Sequence, residues 1–174
     1  MIGKKVFLRA LELTDVQTLY ALENDAQIWA ISQTMTPYSA FALEQFVLQA
    51  VTNDIYAAKQ LRLVICDINS GKAVGLIDLF DFNPAHKRAG VGILIDKEFR
   101  NQGFATEALQ LLIEYAFHTL ELHQLFCSLP ENGLQCKQLF EKSGFELTSI
   151  RKDWYQWKGK WYAELNYQLF APKE

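Results

Sequence analysis

Residues 92–107 have the sequence GILIDKEFRNQGFATE, in which an apolar, strand-like run passes through a short polar loop into a helical pattern. Arg100, Gly103 and Ala105 occupy the junction in the pattern R-x-x-G-x-A. The start of a helix presents unpaired backbone N–H groups and the positive end of the helix dipole, and both stabilise a bound phosphate. Gly103 permits close approach of the backbone to a ligand, and Arg100 adds a cation. The loop is therefore predicted to bind an anion, with an ordinary strand-to-helix turn as the alternative.

The patterns on either side of this unit predict a mixed sheet covered by helices. Apolar positions recur at helical spacing from 106 to 120, and short apolar runs bounded by turn residues are typical of strands. The predicted strands are 5–11, 61–68, 73–82, 90–95, 124–129, 145–150 and 161–170, and the predicted helices are 16–22, 41–51, 106–120 and 134–142. This order, β-αα-βββ-α-β-α-ββ, predicts a single α/β (α+β) domain over residues 1–174, with a mostly antiparallel sheet of about seven strands flanked by four helices.

Composition and charge narrow the class of protein. Half of the 174 residues are apolar and the formal net charge is −3, which argues against a nucleic-acid binder. The sequence has no apolar stretch of the length of a membrane span or a signal peptide, so we expect a cytoplasmic protein with no membrane partner. The three cysteines, Cys66, Cys127 and Cys136, and the three histidines lack the spacing of a disulfide framework or a metal site, so no metal is expected.

The loop at 100–105 resembles the coenzyme A loop of the GNAT superfamily of N-acetyltransferases, whose pattern is Q/R-x-x-G-x-G/A. Segments 75–89, 107–109, 139–145 and 159–169 are similar to other parts of the same superfamily. The likeness extends over almost the whole chain and is greatest to the branch that contains ribosomal-protein N-terminal acetyltransferases and spermidine acetyltransferases. The resemblance implies the GNAT fold and the transfer of an acetyl group from acetyl-CoA to a primary amine.

The resemblance also implies where acetyl-CoA, the expected co-substrate, binds. The strand at 93–95 would pair with the pantetheine arm, and the pyrophosphate would lie on the amides of residues 102–106. The acetyl group would then point between the strands at 90–95 and 124–129. The coenzyme-binding residues implied in this way are Ile93, Leu94, Ile95, Arg100, Asn101, Gln102, Gly103, Phe104, Ala105, Thr106 and Cys136.

Two positions depart from the family pattern. Relatives commonly carry a glutamate where this chain has Gly90, and many carry a tyrosine as general acid where it has Phe140. Neither residue exchanges a proton, so the general base and the general acid of the expected reaction have to be sought elsewhere.

The remaining candidates for catalysis are one thiol and three carboxylates. Cys136 stands where some relatives have a serine, and its thiol is a candidate hydrogen-bond donor to the coenzyme sulfur, with simple helix packing as the alternative. Asp78, Asp81 and Glu164 are the acidic candidates for catalysis or substrate binding. At each of these three positions a solvated or paired carboxylate without a catalytic role is the alternative.

Three functional hypotheses follow. The first is direct acetyl transfer in a ternary complex. The second, motivated by Gly90 and Phe140, is a catalytically degenerate module that binds or senses acyl-CoA. The third is a non-catalytic interaction domain that uses Trp154, Trp157 and Trp161, which are otherwise interpreted as hairpin packing, a dimer contact or a wall of the acceptor pocket.

The acceptor and the oligomeric state stay open at this level. A protein N-terminus, a polyamine and another small amine are all compatible with the sequence, as are a monomer and a homodimer. Glu23, Asp25 and Glu44, on the helices expected near the substrate, make a cationic acceptor plausible.

Overall fold

The computed structural model describes residues 1–32 and 34–172, which form one seven-stranded sheet with helices on both faces. The strands are β1 (Val6–Ala10), β2 (Leu61–Asp67), β3 (Ala73–Asn83), β4 (Arg88–Ile95), β5 (Gln124–Pro130), β6 (Glu146–Trp157) and β7 (Lys160–Phe170). The helices are α1 (Val16–Glu23), α2 (Trp29–Ser32), α3 (Ala40–Thr52), α4 (Ile55–Ala58), α5 (Phe104–His118) and α6 (Leu134–Lys142). The strands lie in the order β1-β2-β3-β4-β5-β7-β6.

Strands β4 and β5 are parallel neighbours in an otherwise antiparallel sheet. In the described chain they pair over Arg88–Gly90 and Gln124–Phe126 and then separate. On its other side β4 stays paired with β3 as far as Ile95. The part of β4 after Gly90 therefore borders a gap inside the sheet.

Helices α5 and α6 cover one face of the sheet, which we call the back face. The α5 residues Leu109 and Leu112 and the α6 residue Phe140 are almost fully buried there, in one cluster with Ile77 and Leu125 of the sheet. Apolar positions spaced by three and four residues bring one side of α5 onto the strands, and burying this stripe stabilises the helix more than its intrinsic propensity does.

Helices α1 and α3 cover the opposite, front face. Leu19 of α1 and Val47 of α3 are in one buried cluster with Val64 of β2 and Leu76 of β3. Directly paired residues of neighbouring antiparallel strands have their side chains on the same face, so the registers identify which other side chains share this face. They include Arg62, Asp78, Phe80, Gly90 and Gly92.

The predicted order of elements and the mixed sheet are confirmed. The structure adds the four-residue helices α2 and α4, which are too short to give a readable period in the sequence. It also extends β6 to Trp157, beyond the predicted end at 150, through a register shift between Arg151 and Tyr155 that interrupts the alternation. No helix among the described residues is both long and apolar enough to cross a membrane.

Candidate functional site

A cleft of about 590 Å³ opens where the end of β4, the start of α5 and the start of α6 come together. Most residues predicted to bind the coenzyme border it. These are Ile93, Leu94, Ile95, Arg100, Asn101, Gly103, Phe104, Ala105, Thr106 and Cys136. Gln102 is the exception, because its side chain turns back and donates to the Glu98 carbonyl at 3.1 Å. Gln27 and Ile28, which precede α2, add to the cleft wall from the front side.

The loop between β4 and α5 is held in a conformation that exposes backbone amides. Asn101 has φ of 61° and Gly103 has φ of 85°, both in the left-handed region, and α5 begins directly after Gly103. The Arg100 Nε donates to the Ile95 carbonyl at 3.0 Å and so closes the loop across the end of β4. A helix start of this kind directs N–H groups into the cleft, where an anion satisfies them.

The N-terminal segment is fastened to this same helix start by Glu107. The Glu107 carboxylate accepts three backbone N–H bonds, from Lys4 at 2.9 Å, Lys5 at 2.7 Å and Val6 at 2.8 Å. Burial alone would raise the pKa of Glu107, but these donors and the Lys5 charge outweigh it and lower the pKa. The carboxylate therefore stays ionised over the neutral range and keeps the segment beside the loop.

Lys5 reaches the loop itself, a contact that sequence analysis missed. Its Nζ donates to the Gln102 carbonyl at 3.0 Å and would lie 3.1 Å from a Cβ placed on Gly103. Lys5 thus adds a second cation, besides Arg100, to the loop that borders the cleft. Because Lys5 and Gln102 are 97 positions apart, no local pattern reports the contact.

Cys136 lies in the first turn of α6 and borders the cleft, and its contact with the coenzyme sulfur stays a prediction. Burial raises the pKa of its thiol, and the Arg100 guanidinium offsets part of the rise. The group is therefore a neutral thiol with an S–H to donate. Phe140, one turn further along α6, is 1% exposed and packs edge to face on Phe145 with ring centroids 5.0 Å apart.

Asp78 lies in the middle of β3 and is paired across the sheet with Arg62 of β2 and Gly92 of β4. Its carboxylate sits over Gly92, since a Cβ added there would come within 2.8 Å of Oδ1. Its other oxygen, Oδ2, lies 3.6 Å from an Arg62 nitrogen and accepts a 3.4 Å hydrogen bond from the Gln60 side chain. Burial raises the pKa of Asp78, and Glu23 adds to the rise, while Arg62 and Gln60 oppose it.

Arg62 links Asp78 to the helical layer of the front face. Its guanidinium bonds to Glu23 at the end of α1 at 2.6 Å and lies 5.1 Å from the ring centre of Phe46 of α3. The Arg62, Glu23 and Asp78 side chains are 19%, 15% and 12% exposed. One buried cation is therefore shared between two nearly buried carboxylates.

The position of the missing family glutamate is closed by an aromatic ring. A Cβ on Gly90 would collide with the ring of Phe80, which packs edge to face on Phe126 at 5.9 Å. A side chain at residue 90 would thus require Phe80 to move. The carboxylate that faces β4 in this chain is that of Asp78, one residue pair further along the same face.

The other two acidic candidates lie elsewhere. Asp81 is exposed, with φ of 49°, at the register shift near the end of β3. Glu164 on β7 is 5% exposed, accepts a 2.6 Å bond from the Tyr155 hydroxyl and forms a 2.8 Å ion pair with Arg151. Since β4 and β5 separate β3 from β7, Glu164 is three strand spacings, about 14 Å or more, from Asp78. The three carboxylates therefore do not form one group.

Two further predictions concern metals and the aromatic C-terminal hairpin. Among the described residues no group of three His, Cys, Asp or Glu side chains is placed to hold a metal ion. On the β6–β7 hairpin, Trp154 and Trp161 are 52% and 56% exposed, and Trp154 stacks under Arg151 at 4.7 Å. Whether these rings serve packing, a dimer or an acceptor stays a prediction.

The chain is similar to one known protein family and to several known proteins. The acetyltransferase (GNAT) domain matches residues 5–146. The spermidine N(1)-acetyltransferase of Escherichia coli (strain K12) is 29% identical over 143 residues, which cover 82% of this chain and 73% of that protein. The probable N-acetyltransferase YjcK of Bacillus subtilis (strain 168) is 24% identical over 163 residues, 91% of this chain and 90% of that protein.

Solved structures show the same likeness at the level of the fold. The spermidine N-acetyltransferase of Vibrio cholerae, crystallised with CoA and spermine, superposes with a TM-score of 0.87 over 95% of each chain. Its sequence identity to this chain is 22%, so the likeness concerns the fold.

Proposed function

The chain belongs to the GNAT family of acetyltransferases and is an N-acetyltransferase, and from this premise we propose that its acceptor is a cationic primary amine of the polyamine class. The observation that carries the proposal is the shared guanidinium on the front face. Arg62 is one cation facing the two carboxylates of Glu23 and Asp78, so the group has a net negative charge when both carboxylates are ionised. A polyamine keeps a second positive charge when its attacking nitrogen has lost a proton, whereas a mono-amine does not. The spermidine acetyltransferases among the relatives support this choice.

The proposed coenzyme site uses the backbone of the cleft. The pyrophosphate lies on the amides of residues 102–106, with Arg100 and Lys5 as the flanking cations. The pantetheine arm extends along the free edge of β4 at 93–95, where it takes the place of an added strand. Acetyl-CoA supplies the activated acetyl group, and the cleft volume, the exposed amides and the two cations fit a long anionic ligand.

The proposed transfer is direct, and positioning supplies much of the rate. The cleft is lined by Leu94, which shares the front face with Leu76, so we place the amine on that face next to the thioester, where no covalent enzyme intermediate is needed. Cys136 donates an S–H hydrogen bond to the leaving sulfur, and its raised pKa keeps this donor protonated at neutral pH.

The first experiment measures thiol release from acetyl-CoA by purified protein with matched acceptors. The panel contains spermidine, the mono-amine propylamine, an amino sugar and a short peptide with a free N-terminus. We expect spermidine to exceed propylamine in kcat/KM by about fivefold to tenfold at low salt, the size of one partly buried charge contact, with the difference shrinking as salt is added.

The alternatives give different outcomes in the same assay. A higher kcat/KM for the peptide or the amino sugar would refute the polyamine acceptor and leave the family assignment in place. The Gly90 and Phe140 positions, which offer no titratable group, favour a non-catalytic acyl-CoA binding module as the second candidate. Tight acetyl-CoA binding by calorimetry without thiol release from any amine would select that candidate.

A further inference from the structure

The reacting end of the coenzyme arm can be traced from the phosphate loop back along β4. An extended chain advances about 3.3 Å per residue, so an arm that pairs with Ile95 first reaches Gly92 about 10 Å later. Gly92 is also close to where β4 and β5 part, since their pairing ends at Gly90 and Phe126. The acetyl group of a ligand whose arm spans residues 93–95 therefore lies beside Gly92.

Asp78 is the acidic side chain that the fold directs to this position. Its Oδ1 covers Gly92 on the front face, and the absence of a side chain at residue 92 is what makes room for it. Gly90, the next front-face position of β4, is covered by the Phe80 ring instead. A buried carboxylate in mid-strand is costly, so its placement here calls for a reason beyond packing.

The charged groups that face Asp78 leave it able to accept a proton. Arg62 of β2 lies 3.6 Å from Oδ2 but is bonded more closely to Glu23 of α1, at 2.6 Å, and Gln60 offers a neutral amide. From β4 the facing residue is Gly92, which carries no charge. The Arg62 guanidinium thus lies near enough to Asp78 to stabilise its charge, while the closer ion pair of Arg62 is with Glu23.

We infer that Asp78 is the general base, taking a proton from the acceptor ammonium through Oδ1, directly or through one water molecule. The inference rests on the proposed function. The neutral amine nitrogen then forms the C–N bond with the acetyl carbon as the C–S bond breaks. The second nitrogen proton passes to the departing sulfur, which yields the N-acetyl amine and the coenzyme A thiol, and Asp78 returns its proton to solvent.

The two other carboxylates do not fill this role. Asp81 is exposed at the end of β3, and Glu164 is engaged by Tyr155 and Arg151 on the far side of β5. A raised pKa suits Asp78 to the task, because a base accepts a proton better as its pKa approaches the working pH. The same rise places the acidic limb of the wild-type rate profile above the ordinary range of a carboxyl group.

The test compares Asp78→Asn and Asp78→Glu with Asp81→Asn, an exposed control of the same chemistry on the same strand. The readout is kcat/KM for spermidine over a pH range, repeated with an acyl hydrazide, a nucleophile that is neutral at neutral pH. We expect Asp78→Asn to lose about 100-fold with spermidine at neutral pH, within the range for a lost general base. This loss of kcat/KM should shrink as the pH rises and the amine loses its proton without help. It should also be smaller with the hydrazide, which has no ammonium proton to remove. Asp78→Glu recovers part of the rate and Asp81→Asn keeps all of it.

Calorimetric acetyl-CoA binding verifies that each variant is folded. If Asp78→Asn does not bind, Gly92→Ala serves in its place, because its Cβ displaces Oδ1 while the carboxylate is retained; the same acceptor-dependent loss is expected. Two results would overturn the inference: variants with the pH profile of the wild type, or an equal loss of kcat/KM with both nucleophiles at every pH. The proposed function would still stand if the wild-type protein releases thiol with spermidine. Absence of release from the wild-type protein with every amine would instead remove both.

Discussion

The two proposed binding regions beside β4 use different kinds of chemical group. On the proposed coenzyme side, the groups available to a ligand are backbone amides of one continuous segment, which includes the left-handed residues Asn101 and Gly103. On the acceptor side, the groups are side chains from separate elements, with Arg62, Asp78 and Glu23 drawn from two strands and a helix. A backbone site tolerates most changes of side chain and fails when its dihedral angles change, whereas a side-chain site fails when one charge is removed.

The largest effect is expected from Arg62→Met, which breaks the acceptor side alone. Removing the guanidinium leaves Glu23 and Asp78 facing each other nearly buried and without a counter-charge, so the free energy of unfolding should fall by about 3–5 kcal/mol. Denaturant unfolding measures the loss. Lys87→Met, at an exposed ion pair with Glu121, is the control and should change stability by less than about 1 kcal/mol. A small loss for Arg62→Met would show that the two carboxylates do not depend on it.

An intermediate effect is expected from Gly103→Ala, which breaks the coenzyme side alone. A Cβ at φ of 85° costs about 1–2 kcal/mol, and the relaxed loop should bind acetyl-CoA about tenfold more weakly. Gly71→Ala carries similar strain at φ of 70° in the β2–β3 turn, with nothing within 4 Å of its added Cβ. Both variants should lose stability, but calorimetry should detect weaker coenzyme binding for Gly103→Ala alone. Equal coenzyme affinities in the two variants would contradict the backbone account.

The smallest effect is expected from Lys5→Met. Lys5 is a side chain on the proposed coenzyme side, where the other groups are mostly backbone amides. Lys5→Met should weaken acetyl-CoA binding a few-fold, about 0.5–1 kcal/mol, and reduce the dependence of affinity on salt. Lys4→Met is the matched control, since the Lys4 backbone is also held by Glu107. A Lys5→Met affinity equal to that of the wild type at low salt would exclude a phosphate contact.

The same division explains what the sequence predicts well. The strand, the loop and the helix of the proposed coenzyme side are contiguous, so the resemblance of this one segment to the family loop names residues that also border the cleft, apart from Gln102. The predicted helix start at 106 differs from the observed Phe104 by part of a turn, as expected for helix ends.

The proposed acceptor side is harder to predict from the sequence, because it depends on the register in which the strands pair. Asp78 is one of three acidic candidates in the sequence, and only the pairing of β3 with β4 shows that it lies over Gly92. The same pairing brings Phe80 over Gly90, and no local pattern in either strand specifies it. Lys5 was missed for the same reason, because Glu107 fastens its segment to a helix a hundred positions later.

The gap between β4 and β5 has a consequence for the protein before it meets its coenzyme. Sheet edges usually lie at the rim of a molecule, where they are prone to recruit strands of other chains. Here an edge of β4 lies inside the sheet, recessed between the starts of α5 and α6. The unpaired backbone groups of β4 are therefore shielded from strands of other proteins by the two helices. A narrow, extended ligand can still reach them. Amide hydrogens from Val91 to Ile95 that face this gap should exchange faster in the free protein and become protected when the ligand completes the sheet.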